Sequence, residues 1–479
     1  MTKQELPNWR PDGWPDRFSG PCCDSRLAER GSLFFALPGT KTDGSVFAAQ
    51  AVANGAAAVV AEQPLTLPVE TIVVPNARAA LADAAAEWFA EQPRIIAAVT
   101  GTAGKTSIVS FLRQIWTHAG NEAAQIGTTG VIAPDIEHSG ALTTPDAIAL
   151  HRTLSELAGS GVTHAAMEAS SHGLAQHRLD GVRVSAAAFT NLGRDHLDYH
   201  PNMADYHAAK MRLFTELLPA GAPAVVNADD EWSEPTLTAV ASAGRQPLTV
   251  GRAGTFIAIK RVEHQRERQI VELNHDGRAH RIDLPFAGDF QVSNALVAGG
   301  LAIATGTAAD VAFEALERLR GASGRLELVG RTAEGAPVYV DYAHKPDALR
   351  NVLEAVRPFT TGRVLLVFGC GGDRDPGKRP IMGEIAATLA DDVIVTDDNP
   401  RSEIPAAIRA AILEGAPDAQ EIADRGEAIR TAITSLRRGD TLVIAGKGHE
   451  TGQTANGVTV PFSDHEVAQQ ALAMRSEAA

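Results

Sequence analysis

The chain consists mainly of short apolar runs that alternate with helical patterns. The first runs are LFFAL, AAVVA and TIVVP, and the alanine-rich pattern ARAALADAAAEWFAEQ follows them. Apolar runs of this length predict buried strands, whereas apolar positions that recur every three or four residues predict a helix. The pattern stops near Pro93, so residues 1–93 are predicted to form a small α/β domain.

A second and a third series of strands and helices follow. The second begins with RIIAAVT and continues through THAAME and SAAAFTNL. Its late segment FIAIKRVEHQRERQIVELN alternates apolar and polar residues, as an exposed antiparallel hairpin does. The third series contains PVYVDYA, RVLLVFG, DVIVTD and TLVIAG. Strands that alternate with helices predict parallel sheets with ligand sites at the carboxyl ends of the strands. We therefore predict an α/β protein whose second and third domains span residues 94–324 and 325–479.

Composition limits the class of ligand. At about 150 residues per domain, a chain of 479 residues that is 44% hydrophobic can form three cores. The formal net charge of −15 offers no extended positive surface to a nucleic acid, whereas an anionic small molecule needs only a local positive pocket. Three cysteines cannot form a disulfide framework, and no apolar stretch reaches the roughly 20 residues that span a bilayer. We expect a cytoplasmic monomer that binds small molecules and neither nucleic acid nor membrane.

The first strand of the second series runs into a glycine-rich loop, GTAGKTS, and then into an amphipathic helix. In a phosphate-binding loop, Gly101 and Gly104 would let backbone N–H groups approach phosphate oxygens. Lys105 would neutralise the β- and γ-phosphates, and Thr106 would offer a hydroxyl to Mg²⁺. The usual first glycine of this motif falls on Val99. The pattern favours an ATP-binding loop over a simple glycine turn beside a solvated lysine.

Acidic and histidine side chains follow the next two strands. Glu168 ends the strand THAAME, where a carboxylate beside the phosphate loop could bind Mg²⁺, although a solvated loop glutamate is the alternative. The segment GRDHLDYH then brings Asp195, His196, Asp198 and His200 within six positions. Two histidines four residues apart make zinc conceivable, but no third ligand pattern accompanies them. We prefer one histidine at a magnesium site over a zinc hydrolase.

Lys210 lies on the apolar face of a predicted helix. The segment MADYHAAKMRLFTELL has the apolar stripe Tyr206, Leu213, Phe214 and Leu217, and Lys210 falls on that stripe. An ammonium group on a buried face is costly. Either the stem packs and the head reaches water, or burial lowers the pKa and the neutral amine becomes covalently modified. The sequence pattern leaves both alternatives open.

Charged and polar side chains follow successive strands of the third domain. They are Arg374 after RVLLVFG, Asp398, Asn399 and Arg401 after DVIVT, and Lys447, His449 and Glu450 after TLVIAG. The ends of parallel strands share one edge of the sheet, so these side chains could converge. Arginines match carboxylates and a glutamate can hold an ammonium group, which suits an amino acid with more than one carboxylate. A solvated rim of loops is the alternative.

The ordered motifs resemble the Mur ligase family, and within it the ligases that add the third amino acid of the peptidoglycan stem peptide. The matching segments are DSR at 24–26, GTAGKTS at 101–107, TTPD at 143–146, MEASSHGLAQHR at 167–178, FTNLGRDHLDYH at 189–200, GRLE at 324–327, VDYAHKPDAL at 340–349, GGDRDPGKRP at 371–380, DNPR at 398–401 and GKGHE at 446–450. The resemblance implies a central P-loop-type, mostly parallel sheet with flanking helices. It also implies a Rossmann-like C-terminal domain and a small N-terminal α/β domain for the uridine nucleotide of UDP-MurNAc.

The resemblance also implies a set of site residues. For ATP they are Gly101, Thr102, Ala103, Gly104, Lys105, Thr106, Ser107, Asn294, Arg325 and Asp341. For the UDP-MurNAc-peptide they are Ser25, Thr40, Lys41, Thr42, Thr143, Thr144, Ser170, Gln176 and Arg178. For the incoming amino acid they are Arg374, Asp398, Asn399, Pro400, Arg401, Gly446 and Glu450. The implied metal ligands are Thr106 and Glu168 for one Mg²⁺, and His196 with a carbamylated Lys210 for a second.

The implied activity is an ATP-dependent ligase that adds meso-diaminopimelate to UDP-N-acetylmuramoyl-L-alanyl-D-glutamate through an acyl phosphate. Catalysis would depend on Lys105, Lys210, His196 and Glu168. Relatives that select meso-diaminopimelate carry DNPR, whereas lysine-adding relatives usually lack the arginine, so Arg401 would hold the distal carboxylate.

Some alternatives stay open beside this activity. They are L-lysine as substrate, a folylpoly-γ-glutamate synthetase, and a P-loop nucleotide switch that makes no bond. Two family positions differ, since Ala103 replaces a common Asn and Lys345 a usual Thr. His344 is a candidate acceptor for the amine proton. We also expect the third domain to close before chemistry.

Overall fold

The computed structural model describes residues 9–39, 42–138, 140, 142–196, 199–265 and 268–478. The N-terminal part is a four-stranded parallel sheet in the order β1-β2-β3-β4. Its elements are β1 (Gly20–Cys22), β2 (Ser32–Phe35), a 3-10 helix (Gly44–Phe47), α1 (Ala48–Ala53), β3 (Ala58–Ala61), β4 (Glu70–Val73) and α2 (Ala77–Phe89). Asn76 begins α2 as an N-cap, since its side-chain oxygen accepts from the N–H groups of Arg78 and Ala79.

The central part is built on an eleven-stranded sheet. Its elements are β5 (Ile95–Thr100), α3 (Lys105–His118), β6 (Ala123–Gly127), β7 (Gly130–Ala133), β8 (Ile136–His138), α4 (Ala147–Gly159), β9 (His164–Glu168), α5 (Ser171–Ala175), β10 (Ala186–Phe189), α6 (Met203–Arg212), a π-helical turn (Leu213–Leu217), β11 (Pro223–Asn227), α7 (Ser233–Ser242), β12 (Gln246–Gly251), β13 (Ile257–Gln265), β14 (Arg268–His275), β15 (Arg278–Leu284), α8 (Asp289–Ala304) and α9 (Ala309–Leu316).

The strands of this sheet lie in the order β15-β14-β13-β12-β11-β10-β5-β9-β6-β7-β8. The strands from β13 to β6 pair in parallel, and antiparallel hairpins form both edges. The hairpin predicted from alternating residues is confirmed as β13 and β14. The structure adds β15 to that edge. The carboxyl ends of β5, β9 and β10 lie side by side, which places the segments after them at one edge of the sheet.

The C-terminal part is a six-stranded sheet in the order β16-β17-β21-β18-β19-β20, in which only β16 is antiparallel to its neighbour. Its elements are β16 (Glu327–Arg331), β17 (Pro337–Asp341), α10 (Pro346–Val356), a 3-10 helix (Arg357–Phe359), β18 (Val364–Phe368), α11 (Lys378–Leu389), β19 (Asp392–Val395), α12 (Pro405–Leu413), β20 (Gln420–Glu421), α13 (Arg425–Ser435), β21 (Thr441–Ala445), the hairpin β22 (Gly452–Ala455) and β23 (Val458–Pro461), and α14 (Asp464–Ala478). The predicted α/β class is confirmed. Among the described residues, every helix is too short or too polar to cross a bilayer.

The predicted apolar face of α3 packs into the core of the central sheet. Its residues Ile108, Phe111, Leu112, Ile115 and Trp116 are all fully buried, in a cluster to which the neighbouring helix α8 contributes. Because α3 begins directly at Lys105, this packing also fixes the position of the phosphate loop.

Replacing Leu112 by Ala should lower the local free energy of unfolding by about 2–5 kcal/mol, because it leaves a cavity in a fully buried cluster. Hydrogen exchange of the α3 amides, followed by mass spectrometry, measures this change. Met474→Ala serves as the control, since Met474 is 63% exposed and its loss should change stability by at most about 0.5 kcal/mol. Equal exchange in both variants would contradict the assigned packing.

Candidate active site

A cavity of about 510 Å³ lies between the central and C-terminal sheets. The phosphate loop, the ends of β9 and β10 and the start of α10 surround it. Of the residues predicted from the sequence, those that line it are Thr102, Ala103, Gly104, Lys105, Thr106, Ser107, Thr143, Glu168, Ser170, His196, Lys210, Asn294, Arg325 and Asp341. The structure therefore brings the predicted ATP and metal residues together in one space.

The phosphate loop follows β5 and ends where α3 begins. Gly101 and Gly104 have φ values of 145° and 85°, and a Cβ on Gly104 would lie 2.3 Å from Asn294 Oδ1. Only glycine fits both requirements. Val99, where the motif usually has glycine, is a fully buried residue of β5 and so lies outside the loop. Lys105, Thr106 and Ser107, the first residues of α3, line the cavity, and a helix N-terminus favours anions.

Residues directly after β10 hold the phosphate loop in place through hydrogen bonds. The Ala103 N–H donates to Asn191 Oδ1 at 2.9 Å, and Thr190 Oγ1 donates to the Ala103 carbonyl at 2.7 Å. Both contacts use the backbone of Ala103, so the alanine at this position keeps them. We did not single out Thr190 and Asn191 from the sequence. Their place directly after a strand that neighbours β5 is the signal that could have identified them.

Two lysines meet at one carbonyl beneath the loop. Lys105 Nζ and Lys210 Nζ each donate to the Gly101 carbonyl at 2.8 Å. Burial lowers the pKa of Lys105 to about 8. Burial and the charge of Lys105 lower the pKa of Lys210 well below its usual value. Because Lys210 is only 1% exposed, the alternative in which its head reaches water is wrong.

Glu168 is also buried, so the alternative of a solvated loop glutamate is wrong. Its carboxylate accepts from the Thr128 N–H at 2.8 Å and from the Thr128 hydroxyl at 3.2 Å. Thr106 Oγ1 accepts from Arg325 at 3.1 Å. The Thr106 hydroxyl and the Glu168 carboxylate line the same cavity, and hard oxygen donors of this kind suit Mg²⁺.

His196 and Asp195 lie in the segment after β10, and their side chains are in contact. His196 Nε2 is 3.1 Å from Asp195 Oδ2, and burial lowers the pKa of His196 to about 4. Asp195 also forms an ion pair with Lys345 at the start of α10. Burial alone would raise the pKa of Asp195, but the charges of Lys345 and His196 outweigh it and lower the pKa to about 2. Lys345, noted in the sequence only as a departure from the family, thus joins the two sheets across the cavity.

Arg325 and Asp341 line the cavity from the C-terminal part of the chain. The Arg325 guanidinium lies 4.4 Å from the centre of the Tyr342 ring. Asp341 accepts from the backbone N–H groups of Leu326 at 2.6 Å and Ala343 at 2.7 Å. Burial raises the pKa of Asp341 to about 6.

The residues predicted for the muramoyl-peptide form a hydrogen-bond network beside Glu168. Thr144 Oγ1 donates to the Glu168 carbonyl at 2.9 Å and lies 3.0 Å from Ser170 Oγ. Arg178 donates to the Thr144 carbonyl and to Gln176 Oε1, both at 2.8 Å. Thr143 accepts from the Thr128 hydroxyl at 3.1 Å.

The residues predicted for the uridine nucleotide lie in the N-terminal part. Ser25 is buried, and its hydroxyl donates to Gln50 at 3.3 Å. Thr42 is exposed. The predicted residues Thr40 and Lys41, together with Asp198, lie outside the described residues.

The residues predicted for the amino acid gather at the carboxyl ends of β18, β19 and β21. Asn399 Nδ2 donates to Glu450 Oε2 at 2.7 Å. A Cβ on Gly371 would lie 2.7 Å from Arg401 Nη1 and 3.9 Å from Arg374 Cγ, so both arginines flank this glycine. Pro400 is buried between Asn399 and Arg401. The cavity lining does not include these side chains.

Two further residues of this edge are buried close together. Asp398 Oδ2 would lie 2.4 Å from a Cβ on Gly446, which has a φ of 117°. Burial raises the pKa of Asp398. Asp398 and Asn399 are therefore packed at this edge, whereas Arg374 is exposed and Arg401 and Glu450 are half-buried.

The hairpin β22–β23, which was not predicted from the sequence, supports the DNPR loop. The Arg401 N–H donates to the Thr454 carbonyl at 3.0 Å, and the Thr454 N–H donates to Asn399 Oδ1 at 2.8 Å. Its turn is the pair Asn456 and Gly457, both with positive φ. Such a pair between two short strands is a strong hairpin signal that could have been used.

His449 connects the two sites. Its ring lies 5.3 Å from the Tyr342 ring and it hydrogen-bonds the backbone of Thr128, the residue that holds Glu168. Burial lowers the pKa of His449 to about 4. His449 thus connects the segment predicted to bind the amino acid with residues around the cavity.

Three family models match the chain in order. They are the "Mur ligase family, catalytic domain" at residues 18–94, the "Mur ligase middle domain" at 99–302 and the "Mur ligase, glutamate ligase domain" at 324–448. The chain belongs to the Mur ligase family, as the motifs indicated.

Curated relatives cover nearly the whole chain. The protein of Chelativorans sp. (strain BNC1) named UDP-N-acetylmuramoyl-L-alanyl-D-glutamate--2,6-diaminopimelate ligase is 63% identical over 96% of this chain and 95% of its own. The protein of the same name from Mesorhizobium japonicum is 62% identical over the same shares. A solved structure of a ligase with this name superposes with a TM-score of 0.70 at 35% identity, covering 96% of this chain and 95% of that one.

Gly104→Ala should weaken the binding of Mg-ADP by about tenfold or more, because the added Cβ displaces Asn294 and strains the loop that faces the phosphates. Calorimetric titration measures the affinity. Gly120→Ala is a matched control: Gly120 has φ 83°, close to the 85° of Gly104, but nothing lies within 4 Å of its added Cβ. An equal loss in both variants would mean that steric contact at Gly104 is unimportant.

Proposed function

We propose that this protein is an ATP-dependent ligase that joins meso-diaminopimelate to UDP-N-acetylmuramoyl-L-alanyl-D-glutamate in cytoplasmic peptidoglycan precursor synthesis. The observation that carries the proposal is that a phosphate loop with two buried lysines is linked through Arg325, Tyr342 and His449 to an edge that carries arginines and a glutamate. The names of the relatives support the same substrates. We further propose domain limits of 1–93 for the uridine nucleotide, 94–324 for ATP and 325–479 for the amino acid.

The chemistry requires activation of a carboxylate. The substrate carboxylate attacks the γ-phosphorus of ATP, forming a carboxyl–phosphate bond as ADP leaves. The amine then attacks the carbonyl carbon, phosphate leaves with the C–O electron pair, and the nitrogen loses a proton. Lys105 and the N–H groups at the start of α3 would hold the phosphoryl oxygens, so the contribution of the protein is mainly positioning and charge stabilisation.

Mg²⁺ would bind Thr106 and Glu168, with a second ion at His196 and Lys210 once the lysine carries a carbamate. When bound, the metal neutralises phosphate charge. Asn294, Arg325 and Asp341 would complete the nucleotide site. Asn294 lies against the loop, and Arg325 reaches Thr106 from the other sheet.

The buried lysine pair supports the carbamate. A neutral Lys210 amine adds CO₂, forming an N–C bond and losing a proton, so an uncharged amine next to Lys105 becomes an anion. The anion attracts Lys105, whereas a protonated Lys210 would repel it. The carbamate also supplies oxygen donors where the unmodified amine has none.

The amine proton needs an acceptor. Burial and the charges of Lys345 and Lys378 lower the pKa of His344 well below its usual value. An imidazole with such a low pKa is a poor acceptor for an ammonium proton. We therefore assign the proton to solvent, and His344 to a structural role through its contact with the Tyr342 carbonyl at 2.7 Å.

The decisive experiment is phosphate release from ATP. We expect release only when UDP-MurNAc-L-Ala-D-Glu and meso-diaminopimelate are both present, and at least about tenfold lower kcat/KM with L-lysine, which lacks the carboxylate that Arg401 would hold. Lys105→Ala should lower the rate by about a hundredfold or more. Equal kcat/KM values for L-lysine and meso-diaminopimelate would contradict the proposed selectivity for meso-diaminopimelate. Activity with a folyl-glutamate acceptor favours that ligase, and ATP binding without turnover favours a nucleotide switch.

Lys210→Ala should lose activity, because the anion proposed at this position disappears. Added formate or acetate should restore a part of the activity by occupying the space of the carbamate. The measurement is the initial rate against carboxylate concentration, with Lys260→Met as an exposed control that should behave as the parent protein. Absence of rescue in a folded variant speaks against the carbamate.

A further inference from the structure

Lys447 carries a charge that the proposed reaction does not use. Its side chain is completely buried, with 0% exposure, two residues after β21. Burial of an ammonium group is costly unless its surroundings compensate the charge. Nζ donates to Glu450 Oε2 at 3.2 Å and to the Gly452 carbonyl at 2.5 Å, and it lies 4.0 Å from Asp398 Oδ1.

Glu450 is held by two donors on the same oxygen. Oε2 accepts from Lys447 and, at 2.7 Å, from Asn399 Nδ2. The other carboxylate oxygen of Glu450, Oε1, accepts neither of these two hydrogen bonds. The Glu450 side chain is 32% exposed, whereas Lys447 and Asp398 are buried beneath it. One end of the carboxylate is therefore fixed, and the other can meet a ligand.

Lys447 also anchors the hairpin β22–β23 through the carbonyl of Gly452, the first residue of β22. The next residue, Gln453, accepts from the Asn399 N–H at 3.2 Å through its side-chain oxygen. Asn399 and Arg401 have φ values of 41° and 51°, which non-glycine residues rarely adopt. The anchored hairpin therefore maintains the backbone that presents both side chains.

The charges around Lys447 do not cancel. Arg425 binds Asp464 through two contacts of 2.7 Å, and both residues are buried. The five charged groups that influence one another here are Asp398, Arg425, Lys447, Glu450 and Asp464. When all five are ionised, three carboxylates face two cations. Glu450 is the partly exposed member of the five, so its carboxylate is the one that can meet a cationic ligand group.

We propose that Lys447 is a positioning residue of the amino-acid site: with Asn399 it fixes one oxygen of Glu450, so that the other oxygen receives an ammonium group of the incoming diamino acid. Lys447 touches no substrate and acts through Glu450. The inference rests on the proposed function. It assigns specificity for a cationic group to a buried side chain that lies outside the cavity.

The test is Lys447→Met in the full chain. Losing a charged hydrogen-bond donor typically corresponds to a factor of about 10–100 in binding. We expect the KM for meso-diaminopimelate to rise by about that factor, while kcat and the KM values for ATP and the UDP-linked acceptor stay within about twofold. An active, folded variant with an unchanged KM for the amino acid overturns the inference. Lys447→Gln keeps a donor without the charge and should show a smaller rise; it also replaces the Met variant if that variant does not fold.

A double-mutant cycle with Glu450→Gln separates positioning from general stability. If Lys447 acts through Glu450, the double variant should have about the same KM for the amino acid as Glu450→Gln alone. Additive effects overturn the inference. The matched control is Arg363→Met, which removes the cation beside the buried carboxylate of Asp440 at the opposite edge of the same sheet. It should leave the KM unchanged.

The outcomes distinguish the two proposals. If the parent protein releases no phosphate with meso-diaminopimelate, the proposed function fails. If the parent is active and Lys447→Met binds the amino acid as well as the parent does, only the role of Lys447 fails.

Discussion

Two ammonium groups converge on one backbone carbonyl, and this contact constrains the rest of the cavity. Lys105 begins α3 and Lys210 comes from α6, yet both donate to the Gly101 carbonyl. Two positive charges removed from water are stable together only if anions join them or one loses its proton. The charge of the buried Glu168, which favours a protonated Lys105, and the lowered pKa of Lys210 both meet that requirement.

The predicted amino-acid edge differs in its buried charges. Beneath Glu450 two buried carboxylates, Asp398 and Asp464, face two buried cations, Arg425 and Lys447, whereas the phosphate end collects lysines and Arg325. A phosphorylated carboxylate would meet positive charge, and an ammonium group of the amino acid would meet Glu450, in sites linked through His449 and Tyr342. The ion pair between Lys345 and Asp195 joins the same two sheets on the other side of the cavity.

Much of the fold could be predicted because its signals are local. The strand before the phosphate loop, the buried face of α3 and the hairpin of β13 and β14 each follow from the spacing of apolar residues within one segment. The third edge strand β15 and the hairpin β22–β23 were missed. The strands β22 and β23 are short and partly or fully exposed, and β15 begins with mostly polar residues before the buried Ile282 and Leu284, so their periodic signal is weak. The turn pairs Asp276–Gly277 and Asn456–Gly457, both with positive φ, were the strong marks.

The sequence by itself determined the α/β class, the strand, glycine loop and helix of residues 95–118 and, through the order of its motifs, the Mur ligase family. It placed Lys210 on an apolar face, but periodicity does not say what covers a face. The contact of Lys210 with Gly101 spans 109 positions, and that of Lys345 with Asp195 spans 150. Only the tertiary structure decided which charges are buried and which partners they share, because desolvation depends on segments that are distant in the chain and adjacent in space.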